Sequence, residues 1–314
     1  MIVNLSHIDL DGVGCQVIIN KNFKKERVEY FNCNYNELES KLDTIESVLK
    51  RNSVDILFIT DLSINEPQMN AIEHICKLNP NTKVVVIDHH PSTKDNIHLA
   101  TAPNLEVICN FEYCATKLVY DYFNNEPKSL NKFVTAVDAY DTWKTDKKEF
   151  SKGMELNDLF WSYRLSRFFN VVVNDIGKDR IKQDLVKIRE ERIQYFATQD
   201  NKGLLIETNI GVITFFDKFV SWIQINYPNK YFYINATSYG RIQIRLTDWC
   251  TEETSLRIQA EVRKVVPEDK LLNFGGHHLA FTLSHNSPYN ESDIKNYIKA
   301  IYDIIDEEIE CLNK

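Results

Sequence analysis

Short runs of aliphatic and β-branched residues alternate with segments of helical periodicity along the first part of the chain. Three such runs occupy residues 2–5, 54–60 and 82–88. Between the second and the third, Pro67 stands near the start of a stretch whose apolar residues fall on one face, which is typical of an amphipathic helix. This alternation favours βαβ units and therefore a parallel sheet.

The remaining sequence predicts a second domain that is reached through helices. A helical pattern runs from about residue 128 to 200 and returns after Ser292. Four runs between these have β-type patterning, at residues 203–208, 211–216, 231–237 and 241–247. We therefore expect an α/β protein made of a parallel-sheet domain over 1–150, a helical linker over 151–202 and a smaller mixed-sheet domain over 203–314.

Composition and charge disfavour several classes of protein. The 314 residues carry 37 Lys and Arg against 45 Asp and Glu, a formal net charge of −8. Proteins that coat long nucleic acid bind mainly by neutralising phosphates, so this charge argues against that class. No apolar run approaches the ~18 residues of a membrane span, and the first residues lack a signal-peptide pattern. The seven cysteines include no CxxC pair and have no regular spacing. Together with the missing signal-peptide pattern, this predicts a cytoplasmic protein with reduced thiols.

Acidic and histidine residues follow each of the three predicted strands. In chain order they are His7, Asp9, Asp11, Asp61 and the triplet Asp88-His89-His90. Ligands of an open α/β sheet bind outside the carboxyl ends of the strands, so these side chains should surround one crevice. Without cations so many carboxylates would repel one another strongly, which predicts a metal site, preferably with two ions. A mixed His and Asp set suits Mn²⁺, with Mg²⁺, Co²⁺ or Zn²⁺ as alternatives, and paired ions are typical of phosphoester hydrolysis.

Two further segments carry candidate ligands. Asp138 and Asp141 lie three positions apart on a predicted helix and share a face, so either could complete the metal site. Near the C-terminus, Gly275 and Gly276 would permit close approach of the backbone to an anion, and the adjacent His277 could donate to a phosphate.

Aromatic residues near these segments have two interpretations. Tyr140 and Trp143 adjoin the acidic patch and are candidates for lining a pocket. The mixture of aromatic and basic residues at 161–169 favours an amphipathic helix packed on its neighbour, with base stacking as the alternative.

Together, these motifs resemble those of the DHH phosphoesterase superfamily with a DHH-associated C-terminal domain. The matching elements are His7-x-Asp9-x-Asp11-Gly12, Asp61, Asp88-His89-His90, Asp141-Thr142 and Gly275-Gly276-His277. The segments SHIDLDGVGC and AVDAYDTW are most similar to the nano-RNase, or oligoribonuclease, branch, which degrades very short RNA.

The resemblance implies a role for each matching residue. It implies one divalent ion held by His7, Asp9 and Asp61. It implies a second held by Asp11, Asp61, His89 and Asp141, which makes Asp61 the bridge.

The resemblance also implies how substrate would be held. His90 would contact the scissile phosphate, and Asp88 would orient the imidazoles. The residues that would bind substrate phosphate from the C-terminal domain are Arg245, Gly275, Gly276 and His277.

By this resemblance we expect a phosphodiesterase that uses water activated by two metal ions to hydrolyse very short RNA oligonucleotides to mononucleotides. Mn²⁺ is the expected ion, with Mg²⁺ or Co²⁺ as alternatives. Expected partners are short RNA or small nucleotides, without long nucleic acid or a membrane, and a homodimer is compatible with this interpretation. The alternatives are a small-nucleotide phosphatase acting on 3′-phosphoadenosine-5′-phosphate, a cyclic-dinucleotide phosphodiesterase and, in a different class, a non-catalytic nucleotide-binding sensor.

Overall fold

The structure, a computed structural model, describes residues 1–175, 179–218, 222–238, 240–277, 279–285 and 291–312. The chain divides into two units, Met1–Ile188 and Arg189–Lys314. Each unit combines a sheet with helices, which confirms the predicted α/β class. In the described ranges, we find no helix with both the length and the apolar character that crossing a membrane requires.

Strands and helices alternate through the first unit. Its elements are β1 (Ile2–His7), α1 (Leu10–Asn22), β2 (Val28–Cys33), α2 (Leu38–Arg51), β3 (Ile56–Thr60), α3 (Glu66–Leu78), β4 (Lys83–Asp88), α4 (Pro91–Asn96), β5 (Leu105–Cys109), α5 (Ala115–Tyr122), α6 (Asn131–Asp141), α7 (Phe150–Asp175) and α8 (Asp179–Asn201). All five strands are parallel, in the order β2-β1-β3-β4-β5. The division between the units falls within α8, inside the segment predicted as the linker.

The central strands are buried on both faces, which explains their continuous aliphatic sequences. In β4, Val84 and Val86 belong to a hydrophobic core shared with α2 and α3. Their neighbours Val85 and Ile87 point to the opposite face and are equally buried. That face is the one on which α1 packs against β1 and α5 packs against β4. Parallel strands require such crossover helices, so both faces of the sheet are covered.

Two strands of this sheet have no sequence pattern strong enough to predict them. β2 and β5 are the edge strands, and most of their residues are only half-buried. Such positions tolerate polar residues, for example Glu29, Asn32 and Glu106. These segments are strands because they pair with β1 and β4, and a local apolar run contributes little.

The second unit contains a mixed sheet of six strands. Its elements are β6 (Leu205–Glu207), β7 (Gly211–Thr214), α9 (Ile223–Asn226), β8 (Phe232–Ala236), β9 (Arg241–Leu246), α10 (Glu252–Val265), β10 (Leu271–His277), β11 (Ala280–His285) and α11 (Glu291–Leu312). The strand order is β10-β11-β9-β8-β7-β6; among these described strands β7 and β8 pair in parallel and the other neighbours pair antiparallel. Each of the four runs predicted as strands contains one, whereas β10 and β11 were not predicted.

Helix α7 approaches α6 closely at Gly153. A Cβ atom at this position would lie 2.1 Å from the carbonyl oxygen of Ala136 and 2.5 Å from Cβ of Tyr140. Only glycine therefore allows this contact without a shift of the backbone. Because α6 ends at Asp141, the contact also fixes the position of a candidate ligand.

We expect Gly153→Ala to destabilise the protein by about 1–3 kcal/mol, because the added methyl group collides with a backbone carbonyl. Urea unfolding followed by circular dichroism measures this change. The matched control is Ser162→Ala, an exposed position of the same helix, which should stay within about 0.5 kcal/mol of wild type. Equal stability of Gly153→Ala and wild type would show that the helices can separate freely.

Candidate metal centre

Neighbouring parallel strands bring the candidate residues to one edge of the first sheet. β1, β3 and β4 lie side by side; β1 ends at His7, β3 is followed by Asp61, and β4 ends at Asp88. The turns after β1 and β4 add Asp9, His89 and His90, and the first turn of α1 adds Asp11. The convergence expected from the carboxyl ends of parallel strands is therefore present.

The first group of possible ligands is His7, Asp9 and Asp61. His7 Nδ1 lies 2.9 Å from Asp9 Oδ2 and 3.7 Å from Asp61 Oδ2. Asp9 is also the N-cap of α1, where its carboxylate accepts the amide of Gly12 at 3.0 Å. A Cβ atom on Gly12 would lie 2.4 Å from the carbonyl oxygen of His7, so glycine is required for the tight turn that brings Asp9 to His7.

The second group surrounds the buried imidazole of His89. Its Nε2 atom lies 3.4 Å from Asp61 Oδ1, 3.4 Å from Asp141 Oδ2 and 3.7 Å from Asp11 Oδ2. The three carboxylates come from separate parts of the chain, namely the first turn of α1, the residue after β3 and the end of α6.

Asp61 belongs to both groups. Its Oδ2 atom faces His7, and its Oδ1 atom faces His89. The residue has a left-handed backbone conformation, with φ of 58°, which Asp adopts more readily than most residues other than Gly. Its amide donates to the carbonyl oxygen of Ile87 at 3.1 Å. The chain thus turns abruptly after β3 and directs one carboxylate between two histidines.

Asp11 is anchored by the start of α5. The amides of Ala115 and Thr116 donate to its two carboxylate oxygens, both at 2.8 Å. The hydroxyl of Thr116 donates in turn to the carbonyl oxygen of Asp11 at 2.7 Å. The positive end of the helix dipole also stabilises a negative charge at this position.

The structure distinguishes the two acidic residues of α6. Asp141 lies beside His89, as described above. Asp138 instead accepts the amide of Cys114 at 2.9 Å and forms an ion pair with Lys144 at 2.7 Å. Asp138 therefore ties α6 to the start of α5, and the geometry favours Asp141 as a ligand.

His90 lies between a carboxylate and a phenol. Its Nδ1 atom is 2.8 Å from Asp88 Oδ1, and its Nε2 atom is 3.1 Å from the hydroxyl of Tyr35. Asp88 also accepts a short hydrogen bond from the hydroxyl of Thr93. Tyr35 was not predicted as a site residue, because its only signal in the sequence is an aromatic residue just beyond β2, a strand that was not predicted.

Divalent cations fit these groups better than protons do. One imidazole nitrogen can donate a single hydrogen bond, whereas His89 Nε2 faces three carboxylates at separations beyond the usual hydrogen-bond range. Atoms that share one cation at about 2.1 Å lie roughly 3.0–3.4 Å apart, close to the separations found here. The donor atoms of His7, Asp9 and Asp61 lie within 4.8 Å of one another, and so do those of Asp11, His89 and Asp141.

Electrostatics favour cations in the same way. Burial, followed by the charges of Asp9 and Asp11, raises the pKa of Asp61 well above its usual value. Burial and Asp11 likewise raise the pKa of Asp141. At His7 burial lowers the pKa, but the nearby carboxylates of Asp9 and Asp61 outweigh it and raise the pKa to about 11. Without metal, the folded site therefore retains protons that an unfolded chain would release.

The candidate residues of the second unit lie on its sheet. Gly275 and Gly276 are exposed positions of β10, and Arg245 is a half-buried residue of β9 that donates to the carbonyl oxygen of Ile244 at 3.0 Å. Arg245 pairs with Ala280, and Ala280 pairs with His277, so these positions form one row across three strands. The side chain of His277 lies outside the described part of the chain.

The aromatic candidates have mainly structural contacts. Trp143 is only 5% exposed, and its ring packs edge-on against Phe150 at 5.0 Å between centroids. In the 161–169 segment, the predicted continuous helix is interrupted at Arg164, which has φ of 60°, whereas Tyr163 and Phe168 are buried, which supports the packing interpretation. Trp161 is the exception, with 59% of its surface exposed.

We expect the stability of the chelator-treated protein to fall as pH rises from about 5 to 9. The folded pKa values of His7, Asp61 and Asp141 are raised, so the folded state binds more protons than the unfolded chain in this range, and increasing pH favours unfolding. Saturating Mn²⁺ should reverse the trend, because metal binding requires deprotonated ligands. Thermal unfolding midpoints in EDTA and in MnCl₂ measure both curves, and parallel curves would contradict this prediction.

Known proteins are similar to this chain in sequence and in fold. Residues 1–139 match the DHH family, N-terminal domain. Oligoribonuclease NrnB of Bacillus subtilis (strain 168) is 27% identical over 213 residues, which cover 64% of this chain and 53% of that protein. The 3′,5′-cyclic-nucleotide phosphodiesterase of Helicobacter pylori (strain ATCC 700392 / 26695) is 29% identical over 167 residues, which cover 48% of this chain and 46% of that protein. The chain thus spans about half the length of these two relatives.

A solved structure shares the fold. RecJ from Thermus thermophilus, crystallised in complex with Mn²⁺, matches with a TM-score of 0.58 and 13% identity, covering 96% of this chain and 52% of that one. At this identity the likeness concerns the fold alone. The family match covers the strand ends that carry the possible ligands of the first sheet, but it ends at residue 139, two positions before Asp141. Residues 1–139 of this chain are therefore similar to the N-terminal domain of the DHH family.

Proposed function

We propose that this protein is a metal-dependent phosphodiesterase that hydrolyses very short RNA oligonucleotides to mononucleotides. The observation that carries the proposal is the position of Asp61, which offers one carboxylate oxygen to each of two adjacent groups of ligands. A carboxylate shared by two cations is typical of enzymes that cleave phosphoesters.

The ligand sets follow from the two groups. His7, Asp9 and Asp61 would hold one ion. The second ion would be held by Asp11, Asp61, His89 and Asp141. Mn²⁺ suits such a mixed set, with Mg²⁺ or Co²⁺ as alternatives. Ions bound there would acidify the attacking water and neutralise charge that develops on the phosphate.

His90 is the residue proposed to contact the scissile phosphate. Burial would raise the pKa of Asp88, but the His90 and His89 imidazoles outweigh burial and lower it, so Asp88 is an anion. As an anion it accepts a hydrogen bond from His90 Nδ1, which fixes the tautomer of the ring. The opposite nitrogen, Nε2, lies 3.1 Å from the hydroxyl of Tyr35.

The size of the substrate is inferred from three observations. The relative from B. subtilis is named an oligoribonuclease, and the net charge of −8 argues against a long polyanion as substrate. The row of Arg245, Ala280 and His277 across the second sheet supports our assignment of a phosphate-binding face there, together with Gly275 and Gly276.

All seven cysteines of the protein are free thiols, which supports the reducing cytoplasm as its compartment.

A second candidate function is hydrolysis of a cyclic nucleotide. The name of the H. pylori relative favours it, and the same two groups of ligands would serve both reactions. A non-catalytic sensor is disfavoured, because a binding module does not need a carboxylate aimed at two histidines.

A panel of substrates separates these functions. With Mn²⁺, we expect release of mononucleotides from RNA of about two to five residues, and at least about tenfold slower turnover of long single strands, 3′-phosphoadenosine-5′-phosphate, cyclic di-AMP and 3′,5′-cyclic AMP. Liquid chromatography of the products measures each rate. Preferential cleavage of a cyclic substrate would establish the second candidate function. Binding of these nucleotides without turnover in any divalent metal would indicate a non-catalytic sensor.

His89→Ala should abolish turnover and leave the fold intact. Changing a residue that only supports a metal ligand lowers activity roughly 10–100-fold. Removing a proposed ligand should lower it further, so activity should fall below about 1% of wild type. Turnover of an RNA dinucleotide and far-ultraviolet circular dichroism are the measurements. His74→Ala, on the exposed face of α3, is the control and should retain activity within about twofold. Near-normal activity of His89→Ala would refute the metal assignment.

A further inference from the structure

Tyr35 occupies a fixed position at the edge of the metal centre. It begins a single helical turn directly after β2, over Tyr35–Glu37. The carboxylate of Glu37 accepts the amide of Asn34 at 2.8 Å, which closes this turn against the end of the strand. The turn therefore determines where the phenol ring points.

The ring contacts two histidines that come from different strands. It stacks on the imidazole of His7 with 4.3 Å between centroids and 16° between planes. It meets the ring of His90 edge-on at 5.4 Å, and its hydroxyl lies 3.1 Å from His90 Nε2. One side chain thus contacts a proposed metal ligand at the end of β1 and the proposed phosphate-contacting residue after β4.

The direction of the hydrogen bond follows from the other side of His90. Asp88 accepts from Nδ1, so in the neutral imidazole Nε2 carries a lone pair. The Tyr35 hydroxyl is then the donor to Nε2. Asp88, His90 and Tyr35 form a chain of hydrogen bonds that holds the imidazole from both nitrogens.

We infer that Tyr35 is a positioning residue with two separable actions: its hydroxyl fixes the orientation of the His90 imidazole, and its ring, stacked on His7, fixes the orientation of that proposed ligand. This inference rests on the proposed function of the site. A phenylalanine would keep the stacking on His7 and lose the hydrogen bond to His90, whereas a leucine would lose both.

The test compares Tyr35→Phe and Tyr35→Leu with wild type. For Tyr35→Phe we expect kcat on an RNA dinucleotide to fall about 10–100-fold, with KM and Mn²⁺ affinity within about threefold of wild type. For Tyr35→Leu we expect an additional loss of about tenfold in Mn²⁺ affinity, measured by titration calorimetry. In Tyr35→Phe the ¹⁵N resonance of His90 Nε2 should shift, because that nitrogen no longer accepts a hydrogen bond.

The matched control is Tyr30→Phe, which removes a phenol hydroxyl from β2 itself. Tyr30 packs against Phe169 at 5.1 Å and has no role in the proposed site. It should leave kcat, Mn²⁺ affinity and the His90 resonance unchanged.

Two results would overturn the inference. Wild-type kcat together with an unshifted His90 resonance in Tyr35→Phe would refute the action of the hydroxyl. Wild-type Mn²⁺ affinity in Tyr35→Leu would refute the action of the ring. If wild-type protein cleaves none of the phosphodiesters, the proposed function fails, while calorimetry and the nitrogen resonance still decide the role of Tyr35.

Discussion

Mutual repulsion among buried carboxylates is the constraint on which the first unit depends. Asp11, Asp61 and Asp141 face a single imidazole nitrogen within 3.7 Å, and burial makes each charge costly. The fold meets this constraint partly with backbone donors. The amides at the start of α5 hold Asp11, and an amide of the first turn of α1 holds Asp9. These bonds orient the carboxylates and leave lone pairs for a cation.

The same constraint explains why several unusual local features occur together. Asp61 has a left-handed backbone, Gly12 lies against the carbonyl of His7, and Gly153 lets α7 approach α6. Each feature moves a backbone segment toward the strand ends, where the donor atoms must come within a few ångströms of one another. Backbone strain of this kind is tolerated where the surrounding structure fixes it, as the rigid parallel sheet does here.

The extent to which the site could be predicted depends on the element that supplies each residue. Residues at the ends of β1, β3 and β4 were predicted, because buried parallel strands have continuous aliphatic sequences that reveal where they end. Tyr35 was missed, because β2 is an edge strand whose half-buried residues show no such pattern. The choice between Asp138 and Asp141 also needed the structure. Both share a helical face, and only the packing of α6 on α5 assigns Asp138 to Lys144 and the amide of Cys114.

The α/β class, the central strands β1, β3 and β4 and the identity of the groups that could bind metal were predictable from the sequence alone. These properties depend on local patterns, namely apolar periodicity and the residue types at strand ends. Tertiary structure decided which side chains meet, because residues 7, 61, 89 and 141 are brought together only when parallel strands pair and α6 packs beside them. It also decided that Asp61 directs one carboxylate oxygen toward His7 and the other toward His89. This arrangement depends on the backbone turn after β3 and on neighbours distant in the chain.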